Sequence, residues 1–216
     1  LKRLWTSLHF KTEVFQNLNK EDMEKALMSL ARESHEEYDC LVVCLLSHGD
    51  LGKVYGADSE LLDIHEVQSY FYADKCPSLA GKPKLFFIQA CQGPEKQTGL
   101  NVETDGGILE GWEADGPGKK ETIIHNRADF LSGFSTTPGD MSVRLPNKGS
   151  IYVSILCRLI KEYANKGQDL LSILTVVNQQ VSDLNLKNDS GDPVPIKQVP
   201  HPCSTLTKRV VFRRVT

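Results

Sequence analysis

Lys84-Leu85-Phe86-Phe87-Ile88-Gln89-Ala90-Cys91-Gln92-Gly93 is an apolar run that stops abruptly at a cysteine. Aromatics and isoleucine in unbroken succession predict a strand buried on both faces of a parallel sheet. Ligands of open α/β sheets gather just beyond the carboxyl ends of such strands, and Cys91 stands there. A second run, Cys40–Leu46, leads into Ser47-His48-Gly49-Asp50. Between the two, Ile64, Val67, Tyr70 and Phe71 mark an amphipathic crossover helix. Strand, helix, strand at this separation predicts a βαβ unit, its strands parallel and about 4.8 Å apart as neighbours. His48 and Cys91 then emerge on one rim of the sheet, within side-chain reach.

The 216 residues suffice for a sizeable core. A formal net charge of -3 gives no pull toward nucleic acid or an anionic membrane. No apolar run is long enough to span a bilayer and no signal-peptide pattern opens the chain, which begins at Leu1 as a fragment or processed piece would. The six cysteines sit mostly inside apolar segments, a usage that points to a reducing, cytoplasmic setting rather than a disulfide scaffold. Cys40 and Cys44 read as small apolar residues on one strand face, and no second pair has zinc-ligand spacing, so neither a metal nor a cofactor is expected.

Outward from the centre, Leu1, Leu4, Trp5 and Leu8 have helical spacing, and His9 to Phe15 reads as a short strand. Asn19 before Glu21 and Asp22 predicts a helix start, with Met23, Ala26, Leu27 and Leu30 as its buried stripe. Gly52 to Gly56 suggests a hairpin. From Pro94 to Lys120, six glycines and six acidic residues replace all periodicity, the mark of a functional or disordered loop. Ala128–Phe134 predicts a strand, Thr136–Gly149 a polar loop, Ile151–Ala164 and Leu170–Leu184 two amphipathic helices. Pro193–Pro202 reads as an extended linker, and β-branched Thr207–Val215 as a closing strand.

A cysteine at a strand end is commonly core filler, and a lone histidine commonly a loop residue. Together on one rim they are the minimum equipment of thiol catalysis: a thiolate attacks, and an imidazole activates it and then protonates the leaving amine. Gln89-Ala90-Cys91-Gln92-Gly93, with a histidine a little under fifty residues upstream, resembles the caspase signature. Ser47-His48-Gly49, the stretch Cys76–Gly93, Ala128–Thr136, Ser142-Val143-Arg144 and Thr205–Phe212 are similar to that family as well. The wording is nearest the initiator caspases eight and ten, and the likeness covers essentially the whole chain.

The resemblance implies a caspase-like α/β three-layer sandwich, a mostly parallel central sheet with helices on both faces, the family's first strand missing here. It also implies a cysteine endopeptidase that cuts after aspartate in cell death or inflammation. By position, Cys91 is the nucleophile, His48 the acid/base, and the Gly49 and Cys91 N–H groups the oxyanion donors. A glycine directly after the histidine also lets the backbone approach a substrate closely. Arg144 grips the aspartate carboxylate as a fork. Gln89, two residues before Cys91 and so on the same side of the strand, donates to the same carboxylate.

Ser142, Val143 and Ile151 would complete a groove less aromatic than that of executioner members. The family's other pocket arginine, and the carbonyl that orients its histidine, belong to a segment upstream of the helix that opens this chain. Arg3 lies too far along that helix to replace the arginine. Asp105 and Asp115, each followed by glycine, are candidate cleavage points. They imply a large subunit over 1–105, a cleavable linker over 106–120 and a small subunit over 121–216. A homodimer, or a heterodimer with another caspase, through the last strand is expected; so is the alternative of an impaired homologue that regulates an active relative.

Overall fold

The computed structural model describes residues 1–94, 125–145, 149–164, 166–184 and 197–213. Its strands are β1 (Leu41–Leu46), β2 (Gly49–Asp50), β3 (Lys53–Tyr55), β4 (Leu61–Asp63), β5 (Lys84–Gln89), β6 (Phe130–Phe134), β7 (Arg144–Leu145), β8 (Gly149–Ser150) and β9 (His201–Ser204). Its α-helices are α1 (Lys2–Ser7), α2 (Lys20–Arg32), α3 (Ile64–Ser69), α4 (Ile151–Tyr163) and α5 (Leu170–Ser182).

The predicted buried strand is β5, at the middle of a four-stranded sheet ordered β1-β5-β6-β9. It runs parallel to β1 and to β6, with Leu46 opposite Gln89 and Ile88 opposite Phe134. Its side chains alternate between two cores. Leu85 and Phe87, with Leu131 of β6, face α1, α4 and α5 through Trp5, Leu156, Ile160 and Val177. Phe86 and Ile88, with Val43 and Leu45 of β1, face α2 and α3 through Leu27, Val67 and Phe71. Helices therefore cover both faces, as the double-sided apolar pattern requires. Even Lys84 is buried, its ammonium satisfied by the Leu79 and Lys82 carbonyls and lying over the Phe130 ring. The helix starts are fixed by side-chain caps: Asn19, Asp63, Ser150 and Asp169 each accept a backbone N–H of the first turn.

Two expected strands are corrected. His9–Phe15 pairs with no described strand; His9 takes φ 64, and the segment carries no regular structure, with Phe10 edge-on to Trp5 and Phe212. The closing strand is β9, within reach of the expected linker, and described residues 207–213 join no ladder. Two prolines hide β9 from a sequence reader. Thr205 exchanges hydrogen bonds with Asp129 and Phe130, so positions 203 and 201 face β6 and Pro202 turns its missing N–H to the open edge. Thr207–Val215 looks like a strand because Val210 and Phe212 alternate inward, but the Val210 carbonyl is taken by the Leu170 N–H at the start of α5.

Gly133 marks the tightest point between β6 and α4. The Tyr152 hydroxyl donates to its carbonyl at 3.0 Å, and a Cβ there would come within 2.7 Å of that hydroxyl and 3.1 Å of Phe87. Gly133→Ala is expected to lose about 1–3 kcal/mol by overpacking. Urea unfolding reads this as a lowered midpoint at unchanged slope, and an unmoved midpoint would show that Tyr152 yields freely.

Candidate active site

The β1–β5 ladder runs one step past β1, where the Ser47 N–H donates to the Gln89 carbonyl at 3.1 Å. Both chains then leave the sheet on the same rim. The small antiparallel sheet of β2, β3 and β4 holds the first of them: the Tyr55 N–H donates to the His48 carbonyl at 2.9 Å, and the Ser47 hydroxyl to the Tyr55 carbonyl at 2.7 Å. A Cβ on Gly49 would lie 2.8 Å from the Ala90 Cβ and 3.0 Å from the Cys91 carbonyl oxygen. Contacts under 3.0 Å are not tolerated there, so glycine is required for the His48-Gly49 backbone to sit against Ala90-Cys91. The His48 side chain is exposed and Cys91 half-buried.

The second wall comes from the segment after β6. The Ser142 N–H points at the Cys91 sulfur at 3.4 Å, and the Gln89 amide donates to the Ser142 hydroxyl at 2.7 Å. Ser150 both caps α4 and donates to the Gln89 side-chain amide oxygen. Arg144 is the ladder partner of Ser150 on the β7–β8 pair, with its side chain exposed. Cys91, Gly49, Gln89, Ser142 and Arg144 are thus assembled from three distant stretches of chain. Val143 is half-buried beside them. Ile151 is 8% exposed, so the first residue of α4 serves the core more than an outer pocket. Asp105 and Asp115 lie outside the described residues.

Sequence reasoning missed two glutamines. Gln92, 3% exposed, accepts the Gly52 N–H and donates to the Cys91 carbonyl, while its own backbone pairs with Gly139 and Asp140. It locks the turn after Cys91 to both walls. Gln198, also 3% exposed, accepts the Val143 N–H at 2.8 Å and donates to the Ser135 carbonyl, positioning the segment that carries Ser142 and Arg144. A glutamine amid prolines carries no local signal of this; the motif itself could have pointed to Gln92.

The remaining thiols are unsuited to attack. Burial pushes Cys40 and Cys44 up to about 11, and raises Cys157 and Cys203 as well. Cys76 is 1% exposed beside His35. Among the described residues no group of three His, Cys, Asp or Glu side chains could hold a metal ion. Nor is any described helix long and apolar enough to cross a membrane.

Comparison with known proteins gives a consistent picture. The caspase domain matches residues 1–211. Caspase-8 of Rattus norvegicus is 40% identical over 214 residues, which are 98% of this chain and 43% of that protein. Caspase-1 of Spodoptera frugiperda is 41% identical over 216 residues, 98% of this chain and 69% of the relative. The crystal structure of that insect caspase-1 superposes with a TM-score of 0.83 at 35% identity, covering 99% of this chain and 78% of the other. The chain therefore spans less than half the length of the rat protein.

Proposed function

The chain belongs to the caspase family, and from that premise we propose that it is a cysteine endopeptidase cutting peptide bonds after aspartate in cell-death or inflammatory proteolysis. The observation that carries this reading is the close packing of Gly49 on Ala90-Cys91 at the shared rim of two parallel strands, with Gln89 and Ser142 beside the sulfur.

The chemistry follows from the placement. The Cys91 sulfur, its proton passed to His48, attacks the scissile carbonyl carbon, and the carbonyl π electrons move onto oxygen. The N–H groups of Gly49 and Cys91 hold that oxyanion, each donor contributing about 3 kcal/mol to the transition state. Collapse breaks the C–N bond as His48 returns the proton to the departing amine. Water, deprotonated by the same imidazole, then releases the acid and restores the thiol. Arg144 and Gln89 receive the aspartate carboxylate, with Ser142 positioning Gln89; Val143 and the outer edge of Ile151 border the residues preceding it.

The proposal extends to maturation. A single chain is cut after Asp105 and Asp115 in the 106–120 linker, which releases 106–115 and separates the 1–105 region from the piece that carries the 121–216 region. Pairing with a second copy or another caspase uses the carboxyl-terminal side of the sheet, where β9 has an open edge and Cys203, Ser204 and Thr205 are exposed. Intact mass followed over time tests activity and specificity together. Fragments ending at Asp105 or Asp115, with turnover of a fluorogenic peptide ending in aspartate, are expected. Absence of both, but faster turnover when an active caspase is added, would instead identify a regulatory homologue.

A further inference from the structure

The Cys91 N–H, one of the two oxyanion donors, belongs to the Ala90–Cys91 peptide just past β5. This peptide is trans, and a trans peptide is planar with its carbonyl and its N–H pointing in opposite directions. The Ser135 hydroxyl donates to the Ala90 carbonyl at 3.1 Å, from the β6 side of β5. The Cys91 N–H therefore points away from β6, toward the β1 side, where Gly49 packs on Ala90. Among the described residues nothing accepts that N–H. One end of the peptide is clamped, and the other is an unclaimed donor at the mouth of the cleft.

Ser135 is 0% exposed, and its main chain is fixed at both ends: its N–H donates to the Ile88 carbonyl at 2.9 Å, and its carbonyl accepts the Gln198 amide. The hydroxyl is thus delivered to Ala90 from a rigid base, with water excluded. Donation to a carbonyl polarises the whole peptide, which strengthens its N–H as a donor. Gln198 also accepts the Val143 N–H, so the support of the Cys91 peptide is joined to the segment bearing Ser142 and Arg144. Resting on the protease reading, we propose that Ser135 is a positioning residue for the oxyanion. Its hydroxyl aims and polarises the Ala90–Cys91 peptide, and the Cys91 N–H then meets the charge that forms when the scissile carbonyl is attacked. Ser135 acts through that N–H, and touches neither the sulfur nor the aspartate carboxylate.

The test measures turnover of a fluorogenic aspartyl peptide beside alkylation of Cys91 by iodoacetamide, read from the mass of the Cys91 peptide. Alkylation replaces iodide by sulfur and builds no oxyanion, so it reports the thiol alone. A whole oxyanion donor is worth about 10²–10³ in kcat; Ser135→Ala, which keeps the donor but loosens it, is expected to lower kcat and kcat/KM alike by about 10- to 30-fold. KM should stay within about threefold of the parent, and the alkylation rate within about twofold. Ser135→Thr and Ser135→Val have one shape and differ by the hydroxyl, which keeps the comparison readable whatever the alanine variant does to folding. The threonine variant is expected to turn over about tenfold faster than the valine one. A hydroxyl that merely satisfies a buried carbonyl would lower the urea midpoint of Ser135→Ala and leave kcat within about threefold, and that result would overturn the proposal. Equal rates for the threonine and valine variants, or alkylation falling in step with kcat, would overturn it as well and leave the protease standing. A parent protein that turns over no aspartyl peptide would overturn both readings.

Discussion

Replacing Cys91 by alanine is expected to lower turnover of an aspartyl peptide on the order of 10⁴-fold or more, and to leave stability within about 0.5 kcal/mol of the parent. The two halves of this expectation have separate causes. In the proposed mechanism the nucleophile is the sulfur itself, and the other thiols are poorly placed to deputise. Cys44 and Cys40 are held as thiols by burial, Cys76 is sealed beside His35, and Cys203 sits on β9 at the far side of the sheet. The fold has little stake in the same atom. Cys91 lies past the last ladder pair of β5, half-exposed, and among the described residues its sulfur hydrogen-bonds with the backbone of Ser142, at 3.4 Å and 4.0 Å. Urea unfolding and peptide turnover, run on one preparation, separate the effects. Turnover within tenfold of the parent would remove Cys91 from the chemistry. Self-processing should stop as well, leaving a single mass.

What could be read in advance divides along physical lines. β5 was legible because burial on both faces forces its central positions, Leu85 to Ile88, to be apolar; α4 and α5 were legible because one-sided burial imprints a helical period. That the chains carrying His48 and Cys91 leave the sheet at one rim followed from parallel pairing alone. β9 was not legible, since an edge strand tolerates proline wherever the N–H would face outward, and Pro202 does so. His9–Phe15 carried the composition of a strand, yet strand formation needs a neighbour, which composition cannot supply. Gln198 was invisible for a related reason. Its partners Ser135 and Val143 are 63 and 55 residues away, and only the folded chain brings them to one amide.

Arg144→Ala is the second large effect, and it tests recognition rather than bond breaking. Removing the cation that faces a buried carboxylate leaves that charge without its partner, a loss of about 2–5 kcal/mol. For aspartyl peptides kcat/KM should therefore fall roughly 30-fold to several thousandfold, at about 1.4 kcal/mol per factor of ten. Peptides ending in asparagine have no charge to strand. They should lose far less, so the ratio of aspartate to asparagine rates should collapse toward one. The Gln89 amide, held by Ser142 and Ser150, remains as a neutral donor and keeps a residual preference for a polar side chain. Arg144→Lys restores the charge but not the planar fork, and should recover only part of the ratio. Since Arg144 is exposed and its ladder contacts to Ser150 are backbone, neither variant should move the unfolding midpoint. A ratio of aspartate to asparagine rates unchanged in Arg144→Ala would place the cation that reads the carboxylate elsewhere in the chain.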